Sequence, residues 1–332
     1  MTPRQLGFRM PAEWEPHEAT WIAWPHNRED WPGRFAPIPW VYGEIVRKLS
    51  RVERVRILVR DEAAERSARR LLRKVGAQLD TVDFFAIPTN RVWMRDTAPI
   101  FVRNAAGEVA VTNWLFNGWA KYDDWHLDNE VPLRVAGAIG MREWSPKMVL
   151  EGGSIDVNGA GLLLTTEECL LSPVQARNPT LTRERIEATL SDYLGTDRVL
   201  WLKNGIAGDD THGHIDDVAR FVNVNTVVLV EQDDDSNFER LRDHGMNVAM
   251  LPMPSPLQFD GQLLPASYAN FYVANGTVLV PTFNDANDRR ALSVLAELFS
   301  GREVVGINCT ELILGLGALH CMTQQQPTHH RL

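Results

Sequence analysis

Cysteine is scarce in this sequence of 332 residues. The three cysteines, Cys169, Cys309 and Cys321, are an odd number in a long chain, which excludes a disulfide framework and favours a reducing compartment. No uninterrupted apolar run approaches the roughly 18 residues of a membrane span. The N-terminal residues also lack the apolar segment of a secretory signal. We therefore expect a cytoplasmic protein that is neither membrane-bound nor exported.

Basic residues are also few. Lys and Arg number 34 against 43 Asp and Glu, the formal net charge is −9, and no block of Lys or Arg is present. This balance argues against a nucleic-acid surface and mildly favours a cationic partner. Hydrophobic residues make up 44% of the chain and no low-complexity linker divides it, which is typical of a globular protein with a substantial core.

Paired strand-like segments with a turn between them predict four β-hairpins. They lie at 98–112, 154–166, 218–230 and 270–281. Helical patterns that end at a glycine lie at 62–75, 182–194 and 288–300. Each hairpin follows a helix and a short apolar strand, so the sequence indicates a repeated α/β unit.

A residue with useful chemistry opens the stretch after each helix–strand pair: Asp96, Glu151, His214, Tyr268 and Cys321. The intervals from 96 to 151, 214, 268 and 321 are 55, 63, 54 and 53 residues. A period of this size indicates repeated units that close on themselves. The last unit has no room for a hairpin, so we expect the N-terminal HEATWIAWP to complete it. In such a ring, four of these positions, Tyr268 excepted, should converge.

The run DDTHGHIDD at 209–217 has two interpretations. Imidazole and carboxylate are ordinary ligands of zinc or manganese. The same groups can hold a cationic substrate and transfer a proton. On an extended segment His214 and Asp216 would face one side and Asp217 the other, while His212 is expected in a loop.

Cys321 lies beside His320 in the glycine-spaced stretch GLGALHCMTQQQP. Convergence with His214 would favour a thiolate nucleophile at this position. Cys169 and Cys309 have no comparable partners in the sequence pattern, and we interpret them as packing residues.

Seven motifs distributed from residue 10 to residue 327 carry a family resemblance. They are MPAEWEPHEATWIAWP, WMRDTAP, LEGGSIDV, LLTTEECLL, DDTHGHIDD, SYANFYVANG and HCMTQQQP. In this order and number they resemble the agmatine deiminase family, whose relatives include the bacterial-type peptidylarginine deiminases. The resemblance implies the pentein fold, a five-fold pseudosymmetric α/β propeller of ββαβ modules, with residues 1–332 as a single catalytic domain.

The resemblance also implies a covalent mechanism without metal or cofactor. Cys321 would attack the guanidinium carbon and form an amidino-thioether, which water then hydrolyses. His214 matches the acid–base residue, and Glu151 matches the carboxylate that positions it. One departure is that the family usually has Gly-Gly-Gly-Asn-Ile before His-Cys, whereas this chain has Leu316 and Ala318 in that loop.

The implied substrate contacts involve four residues. Asp96 and Asp216 match the aspartates that hold the guanidinium nitrogens, and Trp93 and Asp210 match positions that line the pocket. A carboxylate meets the planar guanidinium fork in a bidentate manner, which explains the choice of residue type. Arg95, the nearest cation, should face away from the site by alternation with Asp96.

The expected substrate is agmatine, with N-carbamoylputrescine and ammonia as products. The grounds are the whole-chain match, the lack of a secretion signal, and an acidic pocket that suits a dication without a carboxylate. Peptidyl or free arginine is the alternative substrate within the same fold. A manganese amidinohydrolase would need a second Asp/His cluster, and a non-catalytic binding ring should lack the nucleophile. A homodimer is compatible with the sequence.

Overall fold

Short strands and short helices alternate along the chain in a mixed α/β arrangement. The computed structural model describes residues 1–234 and 236–329. The α-helices are α1 (Ile38–Leu49), α2 (Glu62–Val75), α3 (Met94–Thr97), α4 (His126–Ile139), α5 (Glu167–Leu171), α6 (Arg183–Leu194), α7 (Ser236–Asp243) and α8 (Asp288–Leu298). The strands are β1 (Phe8–Arg9), β2 (His17–Ala23), β3 (Arg54–Val59), β4 (Val82–Ala86), β5 (Ile100–Asn104), β6 (Val109–Thr112), β7 (Glu143–Trp144), β8 (Asp156–Val157), β9 (Leu162–Thr166), β10 (Arg198–Leu202), β11 (Ala219–Asn223), β12 (Thr226–Val230), β13 (Asn247–Leu251), β14 (Gln258–Phe259), β15 (Gln262–Leu263), β16 (Tyr272–Val273), β17 (Thr277–Thr282), β18 (Glu303–Asn308) and β19 (Gln324–Pro327).

The predicted helices form where local capping signals favour them. Helix α2 begins after Asp61, whose side chain accepts a hydrogen bond from the amide of Ala64, and ends at Gly76 with φ of +77°. Helix α6 follows Thr182, whose hydroxyl accepts from the amide of Arg185. In the described part of the chain, no helix combines the length and the apolar character needed to cross a bilayer.

Five of the six sheets in the described residues share one connectivity. In each of them an antiparallel pair of strands is followed by a helix and by a third strand that pairs parallel to the second strand of the pair. The units are β5–β6–α4–β7, β8–β9–α6–β10, β11–β12–α7–β13, β16–β17–α8–β18 and β19–β2–α1–β3. All four predicted hairpins are therefore present, each as the first half of a ββαβ unit.

The fifth unit joins the two ends of the described chain. Strand β19 pairs antiparallel with β2, and Gln324 lies opposite Trp21 in this register. This is the pairing expected for HEATWIAWP. Helix α2 and strand β4 extend the same sheet, because β4 pairs parallel to β3. They therefore do not form one unit with the hairpin at 98–112, as their order in the sequence suggested.

The predicted geometry around His214 was wrong. His214 and Asp216 do not lie on an extended segment, because Ile215–Asp217 form a 3₁₀ turn that begins after His214. Asp96 lies in the short helix α3, so strand alternation does not set the direction of its neighbour Arg95. Both segments lie immediately before the first strand of a hairpin. Asp96 and His214 therefore occupy equivalent positions in two different ββαβ units.

Helices and sheets bury a continuous apolar core. Helix α1 contributes Ile38, Tyr42, Ile45 and Leu49, all fully buried, at the three- and four-residue spacing of one helix face. Strand β17 is buried from Thr277 to Pro281, as expected for a strand with neighbours on both sides. The core holds in fixed positions the short segments that precede the first strand of each unit. Asp96, Glu151, His214 and Cys321 lie in these segments.

Candidate active site

The four residues that were predicted to converge lie close together, each just before the first strand of a ββαβ unit. They are Asp96, Glu151, His214 and Cys321. Nδ1 of His214 lies 3.9 Å from Oδ1 of Asp96, and Nε2 lies 3.8 Å from Oε2 of Glu151. Sγ of Cys321 lies 3.8 Å from Oδ2 of Asp216, whose Oδ1 is 3.9 Å from Nδ1 of His214. Residues separated by more than 200 positions in sequence therefore surround one buried point.

A cavity of about 560 Å³ opens onto this point. Its wall includes Trp93, Asp96, Trp119, Asp210, Leu316 and Cys321. Asp216 and His214 lie behind the wall and are at most 1% exposed. The cavity is large enough for a small substrate whose end reaches the thiol.

Cys321 is a buried thiol surrounded by acids. Burial, and then the charges of Asp216, Asp217 and Asp96, raise its pKa well above the ordinary value. Nδ2 of Asn270 donates a hydrogen bond to Sγ of Cys321 at 3.0 Å. In the absence of a cation the site therefore favours the neutral thiol.

His214 is the buried base of the site. Burial alone would lower its pKa, but the carboxylate of Asp96 and contacts with Cys169 and Glu151 raise it well above the ordinary value. The imidazole of His214 packs directly against the backbone of Gly153. A side chain at position 153 would not fit, because its Cβ would lie 2.6 Å from Nδ1 of His214. The imidazolium is thus the favoured form in the empty site.

Glu151 remains a carboxylate although it is fully buried. Nε of Arg177 donates to its Oε1 at 3.0 Å, and Arg177 is itself buried. Burial would raise the pKa of Glu151, but Arg177 and His214 lower it to about 2. Arg177 is a contributor to the site that the sequence pattern did not reveal.

Asp96 is held by two neutral donors. Nε1 of Trp119 donates to Oδ2 at 3.0 Å and the amide of Gly153 donates to Oδ1 at 3.1 Å. Burial, together with the charges of Asp216 and Glu151, raises the pKa of Asp96 to about 6, although His214 opposes this change. A bound cation would therefore stabilise the ionised form of Asp96.

Asp216 belongs to a buried ionic chain. Nδ1 of His320 lies 2.7 Å from Oδ2 of Asp216, and Nε2 of His320 lies 2.8 Å from Oε2 of Glu13. Burial raises the pKa of Asp216, but the contact with His320 lowers it below the ordinary value overall. The contact with His320 therefore favours the anionic form of Asp216.

The run DDTHGHIDD divides its residues among several tasks. Asp209 accepts hydrogen bonds from the amides of Gly213 and His214 at 2.7 and 3.0 Å and bends the chain. His212 has φ of +62° and contacts Ser172, away from His214. Asp217, expected to point away, is buried and accepts from Nδ2 of Asn270 at 2.9 Å. The two histidines do not form a joint site.

The mouth of the cavity contains the two predicted lining residues. Trp93 packs against Trp31 with ring centroids 5.7 Å apart. Asp210 accepts from the hydroxyl of Tyr122 at 2.7 Å and pairs with Lys121. The sequence resemblance placed both residues near the pocket, and both line the cavity.

The loop before Cys321 fits closely around Trp93. A Cβ at Gly317 would lie 2.7 Å from the Trp93 ring and 3.1 Å from Cβ of Cys321, so glycine is required there. Leu316 adopts φ of +67°, a region that glycine favours, and its side chain lines the cavity. Ala318 is buried.

Arg95 faces away from the cavity, as expected, although for a different reason. It is 2% exposed, and its guanidinium donates to Gln325 at 2.8 Å and to Glu13 at 3.3 Å. The turn of helix α3, and not strand alternation, separates its direction from that of Asp96. Arg95 therefore supports the ionic chain behind the site.

Four contributors were not identified from the sequence: Glu13, Trp119, Arg177 and Asn270. Glu13 and Asn270 lie inside two of the quoted motifs, MPAEWEPHE and SYANFY, which is the signal that could have drawn attention to them. Trp119 and Arg177 lie outside every quoted motif. Only the three-dimensional contacts reveal their part in the site.

This arrangement can bind a planar cation against a nucleophile. Asp96 and Asp216 each offer a carboxylate oxygen near Nδ1 of His214, and Cys321 lies next to Asp216. A guanidinium in this position would present its electrophilic carbon to sulfur and its nitrogens to the acids. His214 is placed to exchange protons with a leaving nitrogen or an incoming water.

Comparisons with known proteins agree with this chemistry. The family model described as Porphyromonas-type peptidyl-arginine deiminase matches residues 9–327. The chain therefore belongs to this family of guanidino-modifying deiminases. A curated relative from Pseudomonas savastanoi, named agmatine deiminase, is 36% identical and covers 99% of this chain and 98% of its own.

Solved structures place the fold in the same group. The agmatine deiminase of Enterococcus faecalis superimposes with a TM-score of 0.91 at 32% identity, covering 99% of this chain and 98% of its own. An amidinotransferase from Microseira wollei has a TM-score of 0.54 at 11% identity, covering 96% and 97% of the two chains. The second likeness concerns the fold alone.

Proposed function

We propose that this chain is an agmatine deiminase that hydrolyses agmatine to N-carbamoylputrescine and ammonia. The observation that carries the proposal is the cluster of Cys321, His214, Asp96 and Asp216 around one end of an acidic cavity. The similar chains named agmatine deiminase support the same assignment across nearly the whole length.

The first half of the reaction forms the covalent intermediate. Asp96 and Asp216 hold the guanidinium, and the thiolate of Cys321 attacks its central carbon. The resulting tetrahedral adduct breaks its bond to a terminal nitrogen, which leaves as ammonia after receiving a proton from His214. The amidino group then remains attached to sulfur as a thioether cation.

The second half releases the product. His214, now neutral, accepts a proton from a water molecule that attacks the amidino carbon. As the carbon–sulfur bond breaks, the remaining hydroxyl proton of the adduct is released to solvent, so the neutral ureido product departs and Cys321 is left as the sulfur anion. Glu151 keeps the imidazole oriented through both halves and balances its charge.

Substrate binding supplies the activation of the nucleophile. Burial, and then three carboxylates, raise the pKa of Cys321 in the empty site, and a bound guanidinium neutralises part of the carboxylate charge. The cation itself also favours a neighbouring anion. The thiol therefore releases its proton to solvent mainly when a correct substrate is bound, which protects the empty enzyme from side reactions.

The charges of the cavity favour agmatine over arginine. Five acids line it, Glu29, Asp30, Asp96, Asp210 and Asp260, against one lining arginine. That residue, Arg91, is paired with Asp30 at 2.5 Å and with Asp124 at 2.9 Å. An α-carboxylate at this mouth would meet net negative charge, whereas the distal ammonium of agmatine would be attracted.

The deciding experiment compares substrates. Purified enzyme is assayed for ammonia release from agmatine, free arginine and a blocked arginyl peptide, and the values of kcat/KM are compared. We expect agmatine to be preferred by orders of magnitude. A preference for the peptide would assign the chain to the peptidylarginine branch, and turnover of none of them would refute a deiminase function.

The larger architecture is part of the same proposal. The five ββαβ units form a closed, five-fold pseudosymmetric α/β propeller, and residues 1–332 form one catalytic domain. The pairing of β19 with β2 supports closure, because it assembles the fifth unit from the two ends of the described chain. A cytoplasmic location and a homodimer complete the proposal, and neither a cofactor nor a metal takes part in turnover.

A further inference from the structure

Three buried side chains, one of them His214, bring metal-binding atoms close together. One ligand atom each from Glu151, Cys169 and His214 lies within 4.8 Å of the others. All three residues are at most 1% exposed. The group lies at the edge of the imidazole opposite to the one that faces Asp96 and Asp216, and the mechanism proposed above does not use Cys169.

Two atoms of this group have no hydrogen-bond partner among the described residues. They are Oε2 of Glu151 and Nε2 of His214, which are 3.8 Å apart. This separation exceeds hydrogen-bond length. Two ligands at about 2.1 Å from a tetrahedral zinc ion are roughly 3.4 Å apart, so small shifts would bring both atoms to one ion.

We propose that Glu151, Cys169 and His214 form an inhibitory Zn²⁺ site. The donor set of one thiolate, one imidazole and one carboxylate oxygen suits zinc and disfavours magnesium, calcium or manganese. Arg177 occupies Oε1 of Glu151 and leaves Oε2 for the metal. The inhibitory effect rests on the proposed deiminase function, whereas the binding of zinc does not.

Occupation of this site would stop turnover at His214. A metal on Nε2 prevents the ring from becoming an imidazolium, so it can no longer alternate between acid and base. Zinc replaces the thiol proton of Cys169 and one imidazolium proton, so the charge of the buried group is unchanged. This balance allows a dication to enter a site that already contains Arg177.

The binding test uses metal alone. Enzyme treated with chelator and desalted receives Zn²⁺, and the zinc that remains after a second desalting is measured. A parallel sample receives Co²⁺, whose thiolate charge-transfer absorption reports coordination by sulfur. We expect one zinc per chain, and loss of both zinc and the cobalt band in Cys169→Ala. Cys309→Ala is the matched control, because Cys309 is an equally buried cysteine, and it should retain both.

The nucleophile provides a second control. Cys321→Ser should still bind one zinc, because Cys321 is not among the three ligands. Loss of zinc in Cys321→Ser with retention in Cys169→Ala would place the metal at the nucleophile and overturn the proposal. Failure of the unaltered enzyme to retain zinc would also overturn it.

An activity assay tests whether bound zinc inhibits turnover. Each variant is compared with itself in the presence and absence of one equivalent of zinc, with agmatine as substrate. We expect turnover of the unaltered enzyme to fall to background and to return after chelation, while Cys169→Ala is unaffected by zinc. If no variant turned over agmatine, the proposed function would fail, yet the zinc and cobalt measurements would still decide whether the site exists.

Discussion

Nδ1 of His320 lies 2.7 Å from Oδ2 of Asp216, and this contact favours the charged form of the acid that we propose binds the substrate. The other ring nitrogen contacts Glu13 at 2.8 Å. Burial alone would raise the pKa of Asp216, and the contact with His320 reverses that direction. His320 is thus a positioning residue that acts through Asp216.

The variant His320→Gln tests this relationship. Without the contact to His320 the pKa of Asp216 should rise, so Asp216 becomes protonated at a higher pH and no longer attracts a guanidinium. We expect the acid limb of the kcat/KM profile to move to higher pH, with partial recovery of activity in alkaline buffer. His212→Gln is the control, because His212 lies outside the cluster. Superimposable pH profiles of the variant and the unaltered enzyme would contradict the assignment.

Replacement of the nucleophile should separate chemistry from folding. Cys321→Ser keeps nearly the same shape but ionises far less readily, so we expect turnover to disappear while the melting temperature changes little. Cys309→Ser tests a buried cysteine that takes no part in the reaction and should remain active. Mass spectrometry of the unaltered enzyme quenched during turnover should detect the amidino adduct on Cys321. Substantial activity in Cys321→Ser would show that another group is the nucleophile.

The two guanidinium-binding acids should respond in the same direction in activity but in opposite directions in stability. Asp96→Asn and Asp216→Asn each remove a charged partner of the substrate, which costs about 2–5 kcal/mol in kcat/KM. The pKa of Asp96 is raised from 3.8 to about 6 in the folded protein. The stability linked to this group is therefore present at low pH and lost as pH rises through 6.

At pH 7 to 8 the ionised Asp96 thus destabilises the empty enzyme by about 3 kcal/mol. Asp96→Asn should raise the melting temperature by a few degrees, less the loss of one hydrogen bond from Trp119 or Gly153 of about 1 kcal/mol. The pKa of Asp216 is lowered, so its contribution is present at neutral pH and lost on acidification. Asp216→Asn should lower the melting temperature, and equal shifts in the two variants would contradict this account.

Local signals made much of the fold predictable. The ends of helix α2 were identified correctly because a capping aspartate and a left-handed glycine act within a few residues of the helix. The hairpins were identified because their turn residues likewise lie within a few positions of the strands that they connect. The roughly regular interval between Asp96 and Cys321 predicted convergence, because repeated units place equivalent residues at equivalent points. The extended conformation predicted at His214 was wrong, because hydrogen bonds from the backbone to Asp209 bend this segment.

Contacts across the whole chain were beyond local reasoning. Glu13 and His320 are separated by 307 residues, and nothing near either position indicates the other. Asn270 contacts Cys321 although Tyr268 occupies the periodic position. Tyr268 instead donates its hydroxyl to Asp288 and contributes to structure outside the cavity. A period identifies where a unit begins, but the side chain that reaches the centre depends on the backbone turn at that point.

The thiol of Cys321 should become more reactive when catalysis is damaged at Asp216. Burial and the charges of Asp216, Asp217 and Asp96 raise the pKa of Cys321 well above its ordinary value, so the free enzyme holds little thiolate at pH 8. Asp216→Asn removes the acid that lies 3.8 Å from sulfur and lowers that pKa. The larger thiolate fraction should accelerate alkylation by iodoacetamide, a neutral reagent, even though agmatine turnover falls.

The second-order alkylation rate is measured from pH 6 to pH 10 by mass spectrometry of the peptide that contains Cys321. Asp192→Asn, at an exposed position of helix α6, is the control and should alkylate like the unaltered enzyme. If Asp216→Asn reacted more slowly at every pH, the carboxylates would be activating the thiol, and activation by the bound substrate would have to be abandoned.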